Sequence, residues 1–427
     1  RSFACKQPGL AAAADFGIVE HVRLCYSTCM KNMYPARHSN SSARTARVVV
    51  VGALITLFTA CGPADDKPPA GESTSAQDRE EPPRLILQIT VDQLRADLPE
   101  RYMNRFGAGG FRYLYDKGMV FENAHHAHAN TETIVGHVTL ATGAHPSKHG
   151  MIGNLWFDRS TGFTTYNVED ARYPLLSKDA GVDQDAEIDP TQRAARSDGR
   201  SPAAILVPTL ADALYEAFGD ASKRIAVSVK DRGAISMAGH HGAAYWFSKA
   251  GGEFVTSRYY LDQYPEWVLE HNAGGPAKQF AGASWTLMHD IETYDFADAD
   301  DQPWETDVAG FGRIFPHAFG DGSSRYFTTL LTLSPAGDRM VLDFAKRALI
   351  EEQLGTDEVT DYLSVSFSST DYVGHVFGPS SLEAEDNLLA VDRAIADLLA
   401  HVDAAVGLEH TLIVLSADHG APDAPGY

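Results

Sequence analysis

The chain is 427 residues long and carries 57 acidic against 35 basic side chains, a formal net charge of −22. That balance excludes nonspecific nucleic-acid binding, so no nucleic acid is expected as a partner; an anionic small molecule stays open, because bound divalent cations dominate the local field of a site. All four cysteines, Cys5, Cys25, Cys29 and Cys61, lie at or before position 61, so the rest of the chain has neither a disulfide nor a thiolate metal site, and any transition metal there falls to histidine and carboxylate.

The first residue is Arg1, and Met30 and Met33 are the first candidate initiators, so residues 1–32 read as an upstream, non-native segment. Arg37, Arg44 and Arg47 precede an apolar run over 48–60 that ends Thr59-Ala60-Cys61. A basic region, a short apolar core and a small-residue site make residues 33–61 a secretory signal peptide. The run is too short to cross a hydrocarbon layer of about 30 Å as a helix. Thr-Ala-Cys resembles a bacterial lipobox, which implies a lipid anchor at Cys61 as the one membrane attachment, on the periplasmic side. The competing reading is an ordinary signal peptide with an incidental cysteine. Without residues 1–60 the chain keeps 28 basic and 55 acidic side chains, a net charge of −27. Residues 62–83, rich in Pro, Gly, Ser, Asp and Glu, cannot bury a core and read as a flexible linker. Residues 84–427 suffice for one large domain with insertions, and no internal repeat is visible.

Within that domain, residues 84–91 form a continuous apolar run of the buried, parallel-strand type and deliver Asp92 at their C-terminal end. Residues 102–118 have helical spacing, with Phe106, Phe111, Leu114 and Tyr115 apolar. A helix is expected over 133–140, just after the Asn130-Thr131 turn. Residues 224–229 are a second strand, leading to Lys230; 361–367 a third, leading to Asp371; 380–402 a long amphipathic helix; and 410–416 a fourth strand, leading to Asp418. Strands alternating with helices predict an α/β fold, a three-layer α/β/α sandwich around a mostly parallel sheet. Ligands of such sheets bind beyond the C-terminal strand ends, where these residues lie. Residues 251–322, rich in aromatics, glycine and acid but without periodicity, read as an inserted cap, with Trp285 and Tyr294 as packing residues.

Each candidate alone is weak. Asp92 after a strand is as often a cap or turn residue as a ligand. Asp371 and His375, four apart, suit one metal ion or a structural pair about equally. Asp418-His419 offers two adjacent ligands at a strand end. Together, with a threonine opening a helix, they make a two-metal phosphoryl-transfer site the better reading. His125, His126, His128 and His145 crowd nearby in sequence and receive no role.

These residues resemble the alkaline phosphatase superfamily. The closest resemblance is to its zinc-dependent branch of bacterial periplasmic phosphatases with a threonine nucleophile, related to nucleotide pyrophosphatases/phosphodiesterases. Six ordered motifs between about 85 and 420 carry it: Val-Asp-Gln-Leu-Arg (91–95), Thr-x-x-Gly-His (133–137), His-Gly-Met-Ile-Gly-Asn-Leu-Trp (149–156), Val-Lys-Asp-Arg-Gly-Ala (229–234), Asp-Tyr-Val-Gly-His (371–375) and Ala-Asp-His-Gly (417–420). The resemblance implies Thr133 as nucleophile, with Thr131 its competitor by inspection. It implies two Zn2+ ions, one held by Asp92, Thr133, Asp418 and His419, the other by Asp371, His375 and a later histidine expected beyond Tyr427. It implies Asn154, Lys230 and Arg232 as phosphate contacts. The two cations would meet the extra charged oxygen of a monoester, so small-molecule phosphate monoesters are the expected substrates. The alternatives are a phosphodiesterase or nucleotide pyrophosphatase on the same scaffold, and a C-terminally incomplete fragment that binds phosphate esters without turnover. No Cys/Ser-x-Pro-x-Arg motif occurs, which argues against a sulfatase.

Overall fold

The structure, a computed structural model, describes residues 81–424. The signal peptide, Cys61 and all but the last three residues of the linker lie outside the described residues.

Among the described residues ten strands occur in chain order: β1 (Leu85–Val91), β2 (Leu155–Asp158), β3 (Phe163–Tyr166), β4 (Arg224–Ser228), β5 (Ala243–Ser248), β6 (Glu253–Val255), β7 (Ser284–Trp285), β8 (His317–Ala318), β9 (Asp361–Phe367) and β10 (Thr411–Ser416). Six build one sheet in the order β10-β1-β9-β4-β5-β6, with β2-β3 and β7-β8 as separate pairs. Neighbours from β10 to β5 run parallel, and β6 returns antiparallel at the edge. The helices of eight or more residues are α1 (Thr133–Thr142), α2 (Leu210–Phe218), α3 (Asp231–Ala238), α4 (Glu266–Ala273), α5 (Pro335–Glu351), α6 (Ser369–Val376) and α7 (Leu382–Ala405). None of the described helices is long and apolar enough to cross a membrane.

Alternation along the strands separates the two helix layers. Leu87 and Ile89 of β1, Ile225 and Val227 of β4 and Leu363 and Val365 of β9 share a core with α5 and α7. Ala226 and Ala244, one residue out of phase, pack with Ile134, Val135 and Val138 of α1 and Ile235 of α3. Further along that second face, Ile86 and Tyr362 meet Leu214 of α2. A strand buried on both faces has no solvent side to present, so β1 and β9 lack the apolar–polar alternation of a half-exposed strand, and even their polar residues, Gln88 and Thr90, Ser364 and Ser366, are buried. The α/β sandwich follows.

Two expectations are corrected. Residues 102–118 are not one helix: a helical turn at Leu98–Arg101 and a helix at Phe111–Lys117 flank a break. Asp392 of α7 reaches into the break and accepts from the N–H groups of Gly107 and Phe111, each at 2.8 Å. A β-carbon on Gly110 would stand 2.2 Å from that carboxylate, so the approach requires glycine. The region 251–322 is not all cap either, because β6 belongs to the main sheet. Trp285 and Tyr294 are buried, and both donate to Asp386 of α7.

Two carboxylates near that region are buried without a lysine or arginine partner. Glu383 of α7 meets His317 (Oε1 to Nε2, 3.2 Å), and its Oε2 has no hydrogen bond. Glu305 Oε1 likewise has none. Burial, aided by the Glu383 and Asp300 charges and opposed by the Gln302 N–H, pushes the Glu305 carboxyl up to about 7. A carboxyl raised from 4.5 in the unfolded chain stabilises the fold fully below 4.5 and loses that contribution as pH rises through 7. Glu305→Gln, which fixes the neutral form, should therefore raise Tm by roughly 2 °C or more at pH 8.5. The gain should vanish at pH 5, and thermal melts at the two pH values check it.

Candidate metal and phosphate site

Three strand ends supply the acidic groups. β1 runs straight into Asp92, which is fully buried. β10 runs into Asp418 and His419. Beyond β9, α6 carries Asp371 and, one turn later, His375, whose side chain is exposed. The start of α6 is fixed from a distance. Asp338 of α5 accepts from the N–H groups of Ser368 (2.8 Å) and Ser369 (3.1 Å) and from the Ser369 hydroxyl, so a carboxylate from another helix caps this one.

Asp92, Asp371 and His419 converge, each offering a ligand atom within 4.8 Å of the others. His419 Nε2 lies 3.4 Å from Asp92 Oδ1 and 3.8 Å from both Asp371 Oδ1 and Asp418 Oδ2. His375 Nε2 lies 3.3 Å from Asp371 Oδ1. Lys230, at the turn between β4 and α3, inserts a buried ammonium that donates to Asp92 Oδ2 (2.7 Å) and to Asp371 Oδ2. An ammonium has three donors, so these two bonds leave one. Burial and the Asp92 charge push the Asp371 carboxyl up, and Lys230 and His375 outweigh them, bringing it down to about 2. Burial alone would hold His419 neutral, but Asp418, Asp92 and Asp371 carry it up to about 10. The pocket thus favours positive charge at the point where its ligand atoms meet.

The residues fit a divalent metal on their own chemistry. Asp92 Oδ1 and Asp418 Oδ2 are buried oxygens without a hydrogen bond. Each faces an imidazole nitrogen, His419 Nε2 at 3.4 Å from Asp92 Oδ1 and His137 Nδ1 at 2.9 Å from Asp418 Oδ2, and a buried carboxylate oxygen without a hydrogen bond favours a cation. Carboxylate, imidazole and hydroxyl form a donor set suited to zinc.

Thr133 opens α1 and is buried, whereas Thr131 is exposed. The helix start is clamped onto the end of β10. A β-carbon at Gly136 would stand 2.0 Å from the Asp418 carbonyl oxygen, so this contact requires glycine. His137 Nδ1 lies 3.0 Å from the Thr133 carbonyl oxygen and 2.9 Å from Asp418 Oδ2, and its Nε2 lies 2.8 Å from Ser366 Oγ. The Gly-His pair of the Thr-x-x-Gly-His motif therefore fixes the first turn of α1, which Thr133 opens, against Asp418. Asn154 Oδ1 accepts from the Ile134 N–H (3.1 Å), and its own N–H donates to Glu132, which brings the 149–156 loop to the same helix start.

Arg232, second residue of α3, is buried, with its NH1 2.8 Å from Asp189 Oδ2 and its Nε without a hydrogen bond. Asp231 pairs with Arg200 (2.6 Å) and accepts from Tyr166 OH (2.5 Å). Sequence reasoning missed Asp189, His137 and Gln93. Gln93 lies against Asp371 and Asp418. Its signal and that of His137 lay inside matched motifs, whereas Asp189 had none. Of the crowded histidines, His126 Nε2 meets the carbonyl of Ala417 (3.1 Å), next to Asp418, and His128 Nδ1 meets the Asn130 carbonyl (2.8 Å).

Residues 86–427 match the type I phosphodiesterase / nucleotide pyrophosphatase family. Alkaline phosphatase PhoV of Synechococcus elongatus is 37% identical over 81% of this chain and 60% of its own length. A Myroides odoratus protein named as a calcium-transporting ATPase is 36% identical over 82% and 62%. Alkaline phosphatase PafA of Elizabethkingia meningoseptica is 34% identical over 81% and 61%. The chain thus spans about three fifths of the length of these relatives. The crystal structure of PafA superposes with a TM-score of 0.70 over 81% of this chain and 64% of that one, at 33% identity. A PafA variant altered at one threonine, one asparagine, one lysine and one arginine superposes with 0.72, at 32% identity and the same coverage. With the family matched over nearly the whole described domain and the sheet shared with PafA, this chain belongs to the type I phosphodiesterase / nucleotide pyrophosphatase family of the alkaline phosphatase superfamily.

Proposed function

We propose that the site hydrolyses phosphate monoesters with two zinc ions bound, through a phosphorylated Thr133. The observation that carries this reading is the convergence of Asp92, Asp371 and His419 beside the buried Lys230. The relatives support it. PhoV and PafA are named alkaline phosphatases, and the four residue types altered together in the PafA variant have the chain order of Thr133, Asn154, Lys230 and Arg232 and share two of their three intervals: asparagine 21 residues after threonine, arginine 2 after lysine.

Asp92, Thr133, Asp418 and His419 would hold one zinc, and Asp371 and His375 the other. When bound, the ions supply Lewis acidity that makes a hydroxyl more acidic and stabilises charge on oxygen. The chain's own residues do the rest. The Thr133 oxygen attacks phosphorus in line, forming one P–O bond as the bond to the leaving oxygen breaks. The proton lost by the hydroxyl balances the alkoxide, which departs as an alcohol. Water then attacks phosphothreonine from the side the alcohol left, releasing hydrogen phosphate and restoring the hydroxyl. The remaining donor of Lys230 and the Nε of Arg232, which has no hydrogen bond, would be the donors to phosphoryl oxygens. A diester offers one fewer charged oxygen, so these cations favour monoesters.

Among the described residues the Asp371–His375 site has two protein ligands and the other has four. Catalytic zinc is ordinarily held by three protein ligands. After dialysis, metal analysis of residues 1–427 expressed alone should find about one zinc retained and a second that exchanges. Retention of no zinc, or monoester hydrolysis undiminished by a chelator, would overturn the reading. Faster hydrolysis of a diester than of the matching monoester would favour a phosphodiesterase.

A further inference from the structure

One buried residue touches both halves of the acidic cluster, and it is neither acidic nor basic. Gln93 follows Asp92 at the end of β1, is 6% exposed and has φ 64°, the left-handed region that a residue with a β-carbon rarely adopts. That turn aims its main-chain N–H at Asp418 Oδ1, 3.0 Å away. The side-chain amide runs the other way. Its Nε2 donates to Asp371 Oδ1 at 2.8 Å and lies 3.4 Å from His375 Nε2. The opposing helix is cut away to admit it: a β-carbon at Gly374 of α6 would stand 2.2 Å from Gln93 Oε1. A left-handed residue on one element and a glycine gap on another, both serving one amide, form a matched pair.

We propose that Gln93 is a positioning residue that sets the Asp371–His375 ligand pair against the Asp418 side of the metal site. The inference rests on the zinc-dependent reading above. Asp371 needs such a partner. Its Oδ2 is drawn toward Lys230, and His375 is exposed, with little packing to hold its ring. An amide that donates to Oδ1 fixes the rotation of the carboxylate about its last bond and so decides which lone pairs face the ion. Outer partners of this kind commonly change metal affinity by about 10–100-fold. The two functions of Gln93 are separable, because the main-chain bond to Asp418 needs only the left-handed turn, while the bond to Asp371 needs the amide.

Glycine adopts the turn freely, so Gln93→Gly keeps the first bond and removes the second. Gly374→Ala attacks the same amide from the other side and leaves Gln93 in place. Stepwise zinc affinity is read by competition with a chromophoric chelator, and the step belonging to Asp371 and His375 is identified as the one that His375→Ala abolishes. Each variant should loosen that step by roughly tenfold or more. The other step should stay within about threefold, and the double variant should be no worse than the weaker single one, as expected for two changes that remove one interaction. Melting of the metal-free protein should not fall with Gln93→Gly, since glycine relieves the left-handed backbone; a purely structural role for the side chain would lower it. Unchanged zinc steps in both variants, or equal loosening of both steps, would overturn the proposal. An unmodified protein that takes up no zinc would instead overturn the metal reading beneath it.

Discussion

Thr133→Ala should lower phosphate-monoester hydrolysis by the zinc-loaded protein by on the order of 10³-fold or more, as expected when a nucleophile is removed. Thr131→Ala should leave it within a few fold. The two hydroxyls are two residues apart, and the structure separates them by placement. Thr133 is buried as the first residue of α1, and its helix turn is fastened through Gly136 and His137 to Asp418. Thr131 is exposed before the helix begins. A nucleophile must be held close to the line of attack, and misplacement by about 1 Å can cost about 100-fold. Thr133→Ser, which keeps the hydroxyl, should retain a measurable rate. Acid quenching during turnover and mass spectrometry of the peptides locate the phosphoryl group, and label on Thr131 would reverse the assignment.

The second large effect concerns substrate class. Replacing Lys230 or Arg232 should reduce monoester hydrolysis by roughly tenfold or more for each residue, since a charged hydrogen bond contributes about 1.5–3 kcal/mol. Diester hydrolysis should fall much less. Lys230 has a second consequence. Its ammonium is buried against Asp92 and Asp371, and Lys230→Met leaves both carboxylates without it. Removing one partner of a buried pair is costly, so metal-free Lys230→Met should melt well below the unmodified protein, with zinc restoring much of the difference. Arg232→Met should also release Asp189. Rates on a paired monoester and diester decide the issue, and equal losses on both would contradict the assigned role.

The parts of the fold legible in the sequence were those where burial left no choice of residue. The strand expected over 361–367 coincides with β9, and those over 84–91, 224–229 and 410–416 agree with β1, β4 and β10 to within one residue at either end. The helix expected over 133–140 extends two residues further, to the left-handed Gly143. The helix over 380–402 is likewise α7, displaced by two or three residues. α5 had readable signals, Ser334 before Pro335 and apolar residues at helical spacing, but it carries none of the six motifs, and a motif-led reading passes over it. The break at 107–110 was not legible, because its cause is a carboxylate 285 residues away in the chain. The same holds around the site. Ligand types and their order are written in short motifs, but the bond from Asp189 to Arg232 joins two stretches without shared pattern, and the φ of Gln93 leaves no trace in composition.

The strand order has a consequence for how the molecule comes into being. β1 lies between β10 and β9, and Leu85 pairs with Thr411 on one side and Asp361 on the other. Both partners are synthesised roughly 270 positions or more after it. At about 5–20 residues per second, the ribosome takes on the order of half a minute to reach the nearer one. For that time the seven residues of β1, apolar apart from Gln88 and Thr90, have both strand edges open to wrong pairing. Asp92 is thus the first of the acidic ligands to be made and among the last to find its neighbours. No nascent chain that ends before β10 can bring Asp92, Asp371 and His419 together, so the proposed centre is complete only after nearly all of the described domain has been synthesised.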